Sequence, residues 1–349
     1  IGGDKFAVCI PKDQFLEQKI MQVIQDMGQT FNNNMYHMHI YIGVYEITDR
    51  DEDVSIMCDK ANIAIKTLRE NYDRSIAYYS DTILDKTIKE KQLVGDFDEA
   101  IEQKQFCMYL QPQMTSDGKM IGAEALVRWQ HPKRGLIFPG DFIEIFERTG
   151  LIYRLDRFIW ELAVQQLAKW QKEGRDELYI SVNISTKDFQ YMDVYQTITS
   201  LVERYGIIPS TLKLEITESL VMDNLDLVKG LLLELKTRKI HLCIDDFGTG
   251  YSSLSRLHHF PISTLKIDRS FISRMGAFGE NSEIIQAIVN LAQNLSMDVV
   301  AEGIEVSEQI YPLIALQCEY GQGNFFSRAV DSDAASALLT AQWNQQQTR

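Results

Sequence analysis

From residue 107 to the end of the chain, short apolar runs return at a regular interval, and most gaps between them carry helical pattern. The runs fall at 107–114, 121–129, 179–185, 212–217, 241–247, 264–270, 298–303 and 320–327. Eight strands interleaved with helices over about 250 residues fit a β/α barrel better than an open doubly wound sheet. The first two runs are separated only by "TSDGK" (115–119), a hairpin-type turn, which predicts an antiparallel opening strand. Val221, Leu225, Val228, Leu232 and Leu235 recur at helical spacing and predict one apolar helix face. Leu155, Phe158, Ile159 and Leu162 predict a second, which stops near Gly174.

Polar residues recur at the carboxyl ends of these runs: Glu124, Asn183, Glu215, the adjacent pair Asp245 and Asp246, Lys266, Glu302 and Gln322. In a β/α barrel that end is the mouth, where side chains from distant parts of the chain converge. Oxygen donors in such number suit hard cations such as Mg²⁺ or Mn²⁺. Neighbouring side chains on a regular strand point to opposite faces. If the strand ends at Asp245, the chain can turn at Asp246, both carboxylates can face the mouth, and Gly248 and Gly250 permit the exit.

Any one carboxylate at a strand end is usually a helix cap or a solvated loop residue; the weight lies in their number and phase. "DFG" (246–248) has no kinase partner motif elsewhere in the chain, and "GTG" lacks the third glycine of a dinucleotide fingerprint. His258 and His259 read as packing or surface residues of a short helix.

Composition narrows the partners. Asp and Glu total 49 against 35 Lys and Arg, a formal charge of −14, which argues against binding duplex nucleic acid. An anionic substrate therefore needs help from cations. Five scattered cysteines without a C-x-x-C pair indicate neither a disulfide framework nor a zinc site, and fit a reducing cytoplasm. No apolar run approaches the ~18 residues of a membrane helix. The chain opens at Ile1 inside a motif, so it is expected to be part of a larger protein, and any upstream sensor or membrane region is absent from this sequence.

"EALVRWQHP", "NIS", "LEITES", "DDFGTGYSSL", "LKID", "VAEGIE" and "GQG" occur in the order and spacing of the EAL family, and over residues 94–345 the chain resembles that family. The resemblance implies a modified TIM-type (β/α)8 barrel over residues 93–349 that hydrolyses cyclic di-GMP to linear pGpG with two Mg²⁺ or Mn²⁺ ions. It implies Glu124, Asn183, Glu215 and Asp245 as ligands of a first metal, Asp245 bridging, and Asp246 at the second with direct or water-mediated support from Glu302 and Gln322. Lys266 resembles the lysine that contacts the nucleophilic water. Glu302 and Glu218 count with it among the catalytic groups, Glu218 by holding the loop after Asp246. Arg128 resembles the arginine that contacts substrate phosphate, and Gln322 and Asp268 are expected on the substrate side. The chain departs from the family at Asn324, where an aromatic is usual, and at Ala329, where a proline is usual. A homodimer through the barrel is expected.

Residues 1–92 resemble the second half of a GGDEF diguanylate cyclase domain, through "IGGDKF" and "CDKANIAIKTLRENYDRSIAYY". Lys5 stands where that family has a glutamate essential for catalysis, and the other half of the domain is absent. This α+β segment is therefore expected to be degenerate, without cyclase activity, and to serve regulation or structure. Against the enzyme stands a receptor of another class, a catalytically silent barrel that binds cyclic di-GMP and signals to a protein partner. Intact metal ligands and Lys266 favour the enzyme, because a receptor needs neither.

Overall fold

The computed structural model describes residues 6–23, 40–68, 75–223, 225–248, 260–275 and 282–347. Lys5 and the rest of the opening motif before Phe6, Gly250, His258 and His259 lie outside the described residues. The chain divides into two compact units, residues 1–95 and 96–349.

In the first unit, β1 (Ile42–Val44) pairs in parallel with β2 (Ile76–Tyr78), and the helix Val54–Leu68 buries Ala64 and Leu68. Lys60 of that helix pairs with Glu52 and donates to the Tyr45 hydroxyl at 3.1 Å, with its ammonium 4.6 Å from the Tyr45 ring centroid. The apolar stretch 6–10, "FAVCI", takes no regular structure and lies exposed, Phe6 by 89%.

The second unit is a closed barrel. Its ring runs β3 (Phe106–Thr115), β11 (Tyr320–Gln322), β10 (Asp298–Ala301), β9 (Thr264–Ile267), β8 (His241–Phe247), β7 (Leu212–Thr217), β6 (Tyr179–Asn183) and β4 (Met120–His131), which pairs back onto β3. The expected antiparallel opening strand is present: β3 runs against both β4 and β11, while the other ring pairings are parallel. Two short strands extend this sheet beyond the ring and were not expected: β5 (Gly135–Ile137) on β4, and β12 (Val330–Asp331) on β3.

Helices cover the outside because parallel strands buried on both faces need an apolar layer against them. The helix Ile152–Lys172 buries Leu155 and Ile159 with Trp160, Leu167 and Trp170, and it ends two residues before Gly174. Phe158 and Leu162 of the expected face are only half-buried. Of the expected apolar face, Val221 lies in the helix Glu218–Asp223, and Leu225, Val228, Leu232 and Leu235 lie in the helix Leu225–Thr237. Phe97, Phe106, Trp129, Phe142 and Phe146 form one buried aromatic cluster around the first hairpin, with ring centroids 4.8–6.2 Å apart. It fixes the position of the strands that bear Glu124 and its neighbours. Among the described residues no helix is long and apolar enough to cross a membrane.

Candidate active site

Lys266 is the centre of the site. It sits on β9, 1% exposed, and its ammonium lies 2.7 Å from Glu215 Oε2, 2.7 Å from Glu302 Oε1, 3.1 Å from Glu124 Oε2 and 3.1 Å from Asp245 Oδ1. The carboxylates arrive from β4, β7, β8 and the residue after β10. Asn183 at the end of β6 donates to Glu124 Oε1 at 3.3 Å, and Gln322 at the end of β11 donates to Glu124 Oε2 at 2.6 Å. Gln113 on β3 donates to Gln322 Oε1 at 2.8 Å. Each of the eight ring strands, β10 through the residue that follows it, therefore supplies a side chain to one network.

Two acids that share Lys266 titrate in opposite directions. Burial pushes both up, but Lys266 and the amide donors of Gln322 and Asn183 hold Glu124 below the usual carboxylate range. Glu215 is pushed well above it by burial and by the Glu124 charge. Glu215 Oε1 is buried with no hydrogen-bond partner among the described residues. Burial, with Asp245 and Glu124 beside it, pushes Glu302 up to about 8. Burial favours a neutral Lys266, yet the four carboxylates hold its pKa well above the ordinary lysine value.

The paired aspartates are brought together by an irregularity in the strand. β8 does not stop at Asp245; it continues through Phe247, and its pairing with β9 shifts register between Ile244 and Phe247. Asp246 takes a left-handed φ of 54°, and its N–H donates to Asp245 Oδ1 at 3.0 Å. An extra residue at a bulge breaks the alternation of faces, which lets consecutive side chains serve one site. Burial, with Asp245 and Asp268 alongside, raises Asp246 to about 6. Gly248 follows at φ 100°, where a side chain would meet the Phe271 ring, and its N–H donates to Glu218 Oε2 at 3.0 Å. Glu218 is thus tied to the exit of β8 and is not among the four carboxylates paired with Lys266.

Asp268 caps the helix Arg269–Ser273 through the Ser270 N–H at 3.0 Å and faces Asp246. Arg128, half-buried near the end of β4, donates to the Val127 carbonyl, and its guanidinium lies 5.5 Å from the Tyr109 ring centroid and 5.4 Å from that of Phe138. Three residues of the network had no place in the sequence reading: Gln111, which accepts from Gln322 at 3.0 Å, Gln113, and Tyr179, whose hydroxyl donates to Gln113. The signal available was a pair of amides two apart in "LQPQMT", on one face of a strand.

The donors fit divalent cations. Glu124, Glu215 and Asp245 offer oxygens within 4.8 Å of one another, as do Asp245, Asp246 and Glu302, and Asp245 belongs to both groups. The orphaned Glu215 Oε1 is an acceptor in want of a cation or a proton. The Cys243 thiol, pushed up to about 12 by burial, stays protonated and offers no thiolate.

A β/α barrel whose mouth gathers carboxylate and amide oxygens around a buried lysine defines a class of barrel proteins able to hold hard divalent cations. The chain belongs to the EAL domain family, whose model matches residues 94–329. Among its relatives are the bifunctional diguanylate cyclase/cyclic di-GMP phosphodiesterase MucR of Pseudomonas aeruginosa, 30% identical over 97% of this chain and 50% of MucR, and the cyclic di-GMP phosphodiesterase NbdA of the same organism, 32% identical over 97% and 44%. The chain spans about half the length of the curated relatives it matches. The MucR phosphodiesterase solved in complex with c-di-GMP is 37% identical, covers 70% of this chain and 99% of its own, and superposes with a TM-score of 0.67. The EAL enzyme Bd1971 with cAMP and cyclic-di-GMP bound is 30% identical, covers 83% and 77%, and gives 0.69.

Proposed function

We propose that this chain hydrolyses cyclic di-GMP to linear pGpG at the barrel mouth with two divalent cations, Mg²⁺ or Mn²⁺. The observation that carries the reading is the charge around Lys266: one buried ammonium, four carboxylates and an acceptor oxygen on Glu215 with no donor among the described residues. A barrel that only gripped a dinucleotide would have no use for buried acids in surplus, because each is costly unless neutralised. The relatives MucR and NbdA, named as phosphodiesterases, support the substrate class.

In this reading Glu124, Asn183, Glu215 and Asp245 hold one cation, and Asp245, Asp246 and Glu302 the other. Bound divalent cations supply an activated water and neutralise charge on the attacking and leaving oxygens of an in-line phosphoryl displacement. Lys266 orients the attacking water and keeps four acids within reach of one another. Arg128 meets a substrate phosphate, Asp268 meets the substrate, and Glu218 fixes the exit of β8 so that Asp246 keeps its orientation. Gln322, expected on the substrate side, gives both amide hydrogens to Glu124 and Gln111 and serves the carboxylate instead. The first unit is a degenerate GGDEF-like segment without cyclase activity, and the protein works in the cytoplasm as a homodimer through its barrel.

The test is incubation of the purified chain with cyclic di-GMP and Mg²⁺ or Mn²⁺, followed by chromatography. The expected product is pGpG, abolished by EDTA. Tight binding with no product would instead establish a silent receptor.

A further inference from the structure

Behind the acids that touch Lys266, a string of buried side chains leads away from the mouth. Glu124 Oε2 accepts from Gln322 Nε2, Gln322 Oε1 accepts from Gln113 Nε2, and Gln113 Oε1 accepts from the Tyr179 hydroxyl. Tyr179 opens β6, at the end of the barrel opposite the mouth. All four residues are buried.

The direction of this string follows from its last member. A carboxylate only accepts, so Gln322 must present its NH₂ to Glu124, and its other NH₂ hydrogen is taken by Gln111 Oε1. Gln322 Oε1 then requires a donor, which only the NH₂ of Gln113 supplies in this string. The oxygen of Gln113 is left facing Tyr179, whose hydroxyl must donate. Burial pushes the Tyr179 pKa well above its ordinary value, so the hydroxyl keeps its proton. The ring is seated firmly: it occupies the space a side chain at Gly122 would need, with a Cβ there 2.6 Å from the ring, and the Lys213 ammonium lies 3.6 Å from its centroid.

We propose that Tyr179 and Gln113 are positioning residues of the metal site, acting through Gln322 to fix the rotation of the Glu124 carboxylate. The inference rests on the metal-dependent reading above, and it adds two residues that lie outside the mouth. Without the Tyr179 hydroxyl, Gln113 Oε1 is a buried acceptor with no donor, and Gln113 is free to turn its amide over. Gln322 then loses one of the partners that order it, and Glu124 keeps Lys266 and Asn183 but loses the fixed orientation of its third donor.

The test is a double-mutant cycle read by Mn²⁺ binding, with electron paramagnetic resonance on the purified chain. Tyr179→Phe keeps the ring and removes only the hydroxyl. It should weaken Mn²⁺ binding about five- to tenfold, the size of one buried hydrogen bond. In a Gln322→Ala background the same substitution should have no further effect, because the path to Glu124 is already cut. Should Tyr179→Phe fail to fold, Gln113→Leu takes its place in the same cycle. Unchanged affinity, or an equal loss in both backgrounds, would overturn the proposal, since a general packing defect does not depend on Gln322. A wild type that binds Mn²⁺ but releases no pGpG would sink the hydrolase reading and leave the cycle to decide the relay. A wild type that hydrolyses while the cycle shows no coupling would sink the relay alone. No Mn²⁺ affinity in the wild type would overturn both.

Discussion

Lys60 in the first unit meets one carboxylate, Glu52, under the Tyr45 ring, whereas Lys266 in the barrel meets four at 2.7–3.1 Å. The chemistry of the contacts is the same, but the count differs. Lys60 and Glu52 cancel, so the pair asks for nothing more and fastens a helix to the segment before it. Around Lys266 up to three negative charges stay uncancelled in a buried space, and protons or cations must make up the difference. Glu302, pushed up to about 8, and Glu215, pushed well above the usual range, are where protons go. A lysine among surplus acids is therefore the mark of a site made for further positive charge.

The largest expected effect comes from removing each lysine in turn. In EDTA at pH 8, Lys266→Met should cost about 3–5 kcal/mol of unfolding free energy, the loss seen when one partner of a buried ion pair is deleted. Lys60→Met should move the unfolding midpoint far less. Denaturant titration of both variants checks this, and equal shifts would erase the distinction between a fastener and a cation site.

Next in size is the loss of the acid shared by both oxygen groups. Asp245→Ala should lower cyclic di-GMP turnover by at least ~10²-fold, the scale for removing a preorganised electrostatic group. Initial rates at saturating Mn²⁺ measure it. A folded variant with near wild-type turnover would place the cations elsewhere.

The smallest effect tests the same idea where protons alone do the balancing. Asp156, in the helix Ile152–Lys172, faces Asp188, whose carboxylate closes a capping box with Ser185. Burial, set against the Ser185 and Asp156 hydrogen bonds, raises Asp188 to about 6, and burial with the Asp188 charge raises Asp156 well above its usual value. Acids whose folded pKa is raised give stability that is complete below the unfolded value near ~3.9 and lost as pH climbs through the folded values. Asp156→Asn mimics the protonated partner and should escape part of that loss. Its Tm should exceed that of wild type at pH 8, with the gap narrowing by pH 5; a gap that does not vary with pH would show that the two acids do not share a proton.

Most of the ring was legible because each of its strands is a short apolar run bounded by turn residues, and runs of that kind fix their own position to within a few residues. The convergence of Glu215, Asp245, Lys266 and Glu302 was legible for a related reason, since parallel strands in a barrel all end at the same face. Glu124, expected at a strand end, instead sits inside β4, which runs on to His131. β3 does not obey that rule. It runs the other way, so Gln111 and Gln113 reach the interior from positions that a search of carboxyl ends passes over, and only the pairing Gln111 to Glu124 shows where they stand. Tyr179 lies at the amino end of β6 and matters through two intermediaries. Asp246 owes its orientation to a backbone φ, which residue type does not specify. β5 and β12, at 3 and 2 residues, are too short to carry a periodic signal.

The bond from Gln113 to Gln322 joins residues 209 apart in sequence. One belongs to the first strand of the ring and the other to the last, so the network is whole only when the circle is. Contacts of such long separation form late and slowly, after much chain entropy has been surrendered. During synthesis the ribosome must therefore release nearly the whole barrel before the first strand can meet its final neighbour. Competence for chemistry arrives at the end of folding, and an incomplete chain is silent by construction.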